Sequence, residues 1–174
     1  MQVDPVIAFK FFRYLRETAN NHGRRVEAVR HWGLGDVASS DSWCDFMAVG
    51  FILDFVFAGE SPFPRTEEIN GSTDAAMKYG QAQGWEVPLD RAMRGDLIFS
   101  IHPPDAPEPG KAHHVAMLED PDTFQVIAGN TSEDGISSNG DRVAEHVVSK
   151  ANKVAIQYPR GTERPEFILM EAGA

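Results

Sequence analysis

Cysteine is nearly absent from this sequence: among its 174 residues only Cys44 carries a thiol. A lone cysteine forms no internal disulfide, and nothing in the chain calls for an oxidising compartment. Long apolar runs are missing too; none approaches the ~20 residues of a membrane span, so no membrane partner is expected. The opening stretch, MQVDPVIAFKFFRYLRET, has Asp4 early and charges inside its apolar part, which does not fit a signal peptide. Basic residues are outnumbered, with 16 Lys and Arg against 26 Asp and Glu and a net charge of −10. That balance argues against wholesale binding to nucleic acid. Metal-ligand spacings such as HExxH or CxxC are absent. His113 and His114, as neighbours on a predicted strand, diverge from each other, so neither a metal nor another cofactor is expected. No internal repeat is visible.

What is present suits one domain over residues 1–174. A chain of this size buries roughly 70% of its unfolded surface, enough for a core without staples. The charge is uneven. Residues 1–35 hold Lys10, Arg13, Arg16, Arg24, Arg25 and Arg30 against Asp4, Glu17 and Glu27, and read as a helical extension with a solvated basic face. Asp4-Pro5 has the chemistry of an N-cap and first helical position. Ala8, Phe11, Phe12, Leu15 and Ala19 then form one apolar stripe, with Lys10 and Arg13 on the other side. A shorter helical piece runs from Val26 to Trp32.

Residues 36–159 read as the catalytic core. After the turn formers GLGDVASSDS, three cap-type residues (Ser40, Asp41, Ser42) precede a run that is apolar nearly all round from Trp43 to Phe57. Such a helix is a buried one, and Cys44 falls in its first turn. AGESPFPRTEEINGST reads as a connecting loop. STDAAMKYGQAQG reads as a helix capped by Ser72 or Thr73 and stopped by Gly84. Trp85 to Pro88 bridges to a turn. Five strands follow, over residues 96–101, 113–119, 123–128, 142–149 and 153–159. The proline-rich HPPDAPEPGKA joins the first two. In the tail, residues 160–174, Phe167 to Met170 form a short apolar knot that docks on the body. Helices first and antiparallel strands second make an α+β fold, with the buried helix packed on a five-stranded sheet.

A thiol in the first turn of a helix meets the positive end of the helix dipole and free backbone N–H groups. Both favour the thiolate, which is the nucleophile, and the same N–H groups can hold an oxyanion. The missing parts are a base and a group that orients it. His113 and His114 open the second strand and point to opposite faces; periodicity leaves open which one meets the helix. Asn130 follows Gly129 at the exit of the third strand, where its amide can accept from an imidazole N–H. Trp43 and Trp85 are candidates for lining a groove.

SWCDF, RGDLIFS, HHVAML and IAGNTS, in this order over roughly residues 36–150, resemble the CHAP family. These are cysteine, histidine-dependent amidohydrolases/peptidases related to NlpC-type and papain-like hydrolases. The resemblance implies a papain-like fold, with Cys44 as nucleophile, His114 as base and Asn130 as the orienting residue. Trp43, His113 and Trp85 then stand as substrate-binding candidates. It further implies cleavage of amide bonds in bacterial peptidoglycan, by amidase or endopeptidase action, through a thioester. Two positions depart from the family pattern. Many members carry an acid two residues before the asparagine, where this chain has Ala128; the residue after the cysteine is usually small, and here it is Asp45.

With no signal peptide, such an enzyme is expected to be made in the cytoplasm and delivered to the periplasm or cell wall by a phage or a secretion system. A secreted effector would have an immunity protein as partner. Two other readings stand beside this one: a protease or deamidase of the same fold acting on a protein, and a non-catalytic relative that binds wall fragments or serves as a structural module.

Overall fold

The computed structural model describes residues 4–11, 29, 45–131 and 142–160. Four helices and six strands are set out in these residues. Helix α1 spans Pro5–Phe11, and the Asp4 carboxylate caps it by accepting the Val6 N–H at 2.8 Å. Helix α2 spans Asp45–Val56, α3 is the single turn Glu67–Asn70, and α4 spans Thr73–Ala82. The Ser72 hydroxyl caps α4 by accepting the Ala75 N–H at 3.2 Å, and Gly84 takes a positive φ of 75° just past the end. The strands are β1 (Glu86–Val87), β2 (Leu97–Ile101), β3 (Ala112–Asp120), β4 (Gln125–Thr131), β5 (Arg142–Val147) and β6 (Lys153–Ile156).

They form one antiparallel sheet in the order β1-β6-β2-β3-β4-β5. The α+β class stands, but the sheet has six strands instead of five. The added one is β1, which lay in the Trp85–Pro88 bridge. It is held by Glu86↔Ile156 and Val87↔Ala155 on the edge of β6. Two residues are too few for alternation to show in a sequence.

The period of two along each strand divides the side chains into two sets. On the first face Leu97, Phe99, Val115, Met117, Ile127 and Ile156 join one apolar cluster with Phe46, Met47, Val49, Ile52 and Leu53 of α2 and Val6 and Phe9 of α1. On the second face Ile98, Ala116, Leu118, Val126, Ala128 and Ala155 form another with Ala92 and Phe124. Each large side chain so buried contributes ~1.5–3 kcal/mol.

Three helical expectations need correction. The stripe drawn through Ala8 and Phe11 has the wrong phase. Val6, Ala8 and Phe9 are buried and Phe11 is 76% exposed. Lys10 sets this rotation: its ammonium turns to the sheet and pairs with Glu119 of β3 and Glu145 of β5. Helix α2 is buried all round from Phe46 to Gly50 but on one side only beyond that, where Phe55 is 63% exposed. The loop between α2 and α4 contains a helical turn, α3, whose start is held by the Thr66 hydroxyl accepting the Ile69 N–H at 3.3 Å. Of the Val26–Trp32 piece only Val29 is described; it is helical and buried. The remainder of the extension and the tail after residue 160 lie outside the described residues.

Candidate functional site

The described part of helix α2 opens at Asp45, the residue after Cys44. Cys44 and Trp43 themselves lie outside the described residues. The body of α2 packs on β3 and β4, the two strands that carry His114 and Asn130.

His114 is 9% exposed, near the start of β3. Its partner across β2 is Ser100, and its alternate neighbours Ala116 and Leu118 belong to the second cluster. Helix α2 belongs to the first, with Val115 and Met117. The facing that periodicity left open is therefore decided: His114 follows the sheet face away from the body of α2.

His113 departs from simple alternation. The register changes from Ser100↔His114 to Ile101↔Ala112, which leaves His113 as an extra residue in β3. A bulge of this kind bends the strand and re-aims a side chain. Ala112 and Val115 both enter the first cluster, with the two histidines between them. The His113 ring lies against His102, with centroids 4.7 Å apart. Partial burial, foremost, together with the nearby His102, His114 and Lys153, holds its pKa below the ordinary histidine value. The expectation that the two histidines diverge is thus overturned by one inserted residue.

Asn130 is the penultimate residue of β4. The pairing of β3 with β4 runs from Asp120↔Gln125 to Met117↔Ile127. Past those residues β3 is paired with β2, and β4 with β5, as far as Thr131↔Arg142. Counted on from Met117↔Ile127, position 130 stands level with position 114 across the place where the strands part. Ala128 is fully buried in the second cluster. A carboxylate there would be desolvated among apolar groups, so alanine at this position serves packing.

Trp85 sits in an aromatic group. Its ring meets Phe63 at 5.5 Å and Tyr79 at 5.7 Å, both edge to face. Close by is an open cleft of about 590 Å³ between α3 and α4, lined by Pro64, Thr66, Glu68, Ile69, Ser72, Asp74, Ala75, Lys78 and Tyr79. Asp74 links this cleft to β3. Its Oδ1 accepts the N–H of Ala112 at 2.9 Å, one residue before His113, and its Oδ2 pairs with Lys78 at 2.6 Å.

Several polar residues near His114 had no place in the motif reading. Ser100 and Lys153 are level with it on β2 and β6, and His146 stands opposite Val126 on β5. Alternation from Ile98 would have revealed Ser100 and His102. His146 and Lys153 needed the cross-strand register, which sequence does not print. Groups of three or more metal-ligating side chains suited to an ion are not found among the described residues.

No family model, curated protein or solved structure matches the chain.

Proposed function

We propose that this chain is a cysteine-dependent amidohydrolase that cleaves amide bonds of bacterial peptidoglycan. One observation carries the reading: a buried helix, described from the residue after the only cysteine onward, packs on the two strands that bear His114 and Asn130, in the order of the CHAP motifs. In this mechanism His114 takes the proton of Cys44, and the sulfur attacks the amide carbonyl. Backbone N–H groups at the helix start hold the oxyanion, and His114 then protonates the leaving amine. Water resolves the thioester. Asn130 orients His114 without help from an acid at position 128. The papain-like arrangement, the substrate-binding roles of Trp43, His113 and Trp85, and delivery by phage or secretion system belong to this same reading. So does an immunity protein, should delivery be by secretion.

The facing of His114 sets a condition. The body of α2 lies on the opposite side of the sheet, so Cys44 has to meet the imidazole around the strand ends, where β3 and β4 part. The same observation favours the second reading, a non-catalytic relative that has kept the motifs as packing residues.

The deciding experiment is digestion of purified peptidoglycan with fragments identified by mass, beside a Cys44→Ala control. The expected result is fragments from the natural protein and none from the variant; their masses name the bond. A folded natural protein that releases nothing across several wall chemistries, and whose thiol alkylates no faster than a free one, supports the non-catalytic reading.

A further inference from the structure

Imidazoles and an ammonium gather on the second sheet face. Ser100 is the centre of a cross-strand row, with His114 on one side and Lys153 on the other. Alternation from Ile98 brings His102 to the same face, and the bulge in β3 lays His113 against it. His146 reaches the same face from β5, opposite Val126. Four imidazoles and one ammonium thus share the second face, His146 from the level of Leu118 but within electrostatic reach of His114 and Lys153.

Their mutual influence agrees with this placement. His146 is held below the ordinary histidine value by burial first, then by His114 and Lys153. His113 feels burial first, then His102, His114 and Lys153. Burial also lowers Lys153. Among the described residues, each charged neighbour acting on His113 and His146 is cationic. Two acids border this end, each paired with a lysine: Asp74, which accepts the Ala112 N–H beside His113 and pairs with Lys78 at 2.6 Å, and Glu108, which acts on His102 and pairs with Lys111 at 2.8 Å. The Nδ1 atom of His146 is buried with no hydrogen-bond partner among the described residues. The Lys153 ammonium donates to the Ala151 carbonyl at 3.3 Å, a long bond for a charged donor.

Partly desolvated groups of one sign repel each other, and an anion among them relieves that repulsion. We propose that Ser100, His102, His113, His114, His146 and Lys153 form an oxyanion site, filled in the amidohydrolase reading, on which this assignment of the ligand rests, by a free carboxylate of the substrate peptide. The ring N–H groups and the ammonium donate, and the Ser100 hydroxyl adds a neutral donor. Binding draws protons onto His113 and His146, whose values lie below the ordinary one, so it strengthens as pH falls.

The test is binding to the full chain, read from histidine ring proton signals in NMR titrations. Sulfate is the first probe, because its own charge stays fixed between about pH 5.5 and 8, where imidazoles titrate. N-acetylalanine and its amide are the second pair, alike except for the carboxylate. Saturable movement of at least two histidine signals is expected, with affinity about tenfold tighter at the acid end. N-acetylalanine is expected to move the same signals and its amide to leave them in place. Lys153→Met should weaken sulfate about fivefold; Lys153→Gln, which keeps a polar end, guards against a variant that does not fold. Equal affinity at both pH values, movement without saturation, or binding unchanged in a folded Lys153 variant would overturn the site. If sulfate binds with this pH dependence but N-acetylalanine does not, the carboxylate assignment falls. Because the readout is binding, failure here is separate from failure to cleave peptidoglycan.

Discussion

The two faces of one sheet are built on different principles. The first is covered by α1, α2 and α4 and closed with large side chains. The second has small residues at its middle, Ala116, Ala128 and Ala155. At one end of it sits the fully buried Asp96, and at the other Ser100, His114 and Lys153 with the His102–His113 pair. Asp96 is richly satisfied. It accepts from Arg160 at 2.6 Å, from the Met93 N–H at 2.7 Å and from Gln157 at 3.1 Å. The Arg94-Gly95-Asp96 turn closes against Leu118 through two further bonds, the Gly95 N–H donating to the Leu118 carbonyl and the Leu118 N–H to the Asp96 carbonyl. A buried charge held in that way is structural. Basic side chains brought together from several strands, with only basic groups acting on His113 and His146 among the described residues, suit an anionic ligand.

The largest effect that would break this comparison is on activity. In the amidohydrolase reading, His114→Ala lowers peptidoglycan hydrolysis by about 10²–10⁴, the range for loss of a positioned acid–base group. His113→Ala, on the bulge beside it, is expected to lower it by about tenfold or less through substrate affinity. Initial rates of the two folded variants decide this, and a reversed order would make His113 the base.

Next comes stability. Asp96→Ala leaves Arg160, Gln157 and the Met93 N–H without their acceptor, and the cost is about 3 kcal/mol in urea unfolding, as for a broken buried pair. A cost near zero would mean that this end of the second face is no more fixed than the other.

Gly80→Ala probes the tightness of the first face. In an exposed helix this change gains up to about 1 kcal/mol. Here an added Cβ would stand 2.7 Å from Cγ2 of Ile156, which is fully buried. The expected outcome is a loss of about 1–2 kcal/mol, read as a lower urea midpoint.

A smaller effect follows from pH. The depressed values of His113 and His146 mean that the unfolded chain takes up protons more readily than the folded one. Their contribution is present at neutral pH and is lost as pH falls below the ordinary histidine value of about 6.5. The loss continues until the folded-state values are passed. Thermal midpoints should fall on acidification through that window, and sulfate should restore part of the fall. Tyr158→Phe is the mildest case. Its hydroxyl is buried with no hydrogen-bond partner among the described residues, and burial raises its pKa. Removing the oxygen should change stability by about 0.5 kcal/mol or less, in either direction.

Local chemistry was legible where one segment carries its own signal. The Ser72 cap and the Gly84 stop of α4 were readable, as were the five longer strands with their alternation and turns. These depend on neighbours a few residues apart. The two-residue β1, the one-turn α3 and the rotation of α1 were not readable. Each is fixed by a partner far along the chain: β6 for β1, the packing around α4 for α3, and Glu119 and Glu145 for Lys10.

The site divides along the same line. Sequence alone determined that one thiol stands next to the start of an apolar helix, that two histidines open a strand, and that the strands follow the helices. These are matters of composition and local period. Tertiary structure decided the rest: an inserted residue at His113 sends both histidines to one face, and that face is the one away from the body of α2. It also decided which cations become neighbours, because Ser100, His114, Lys153 and His146 come from four strands. Register and bulges are set by pairing between distant segments, and a shift of one residue moves every side chain to the other face.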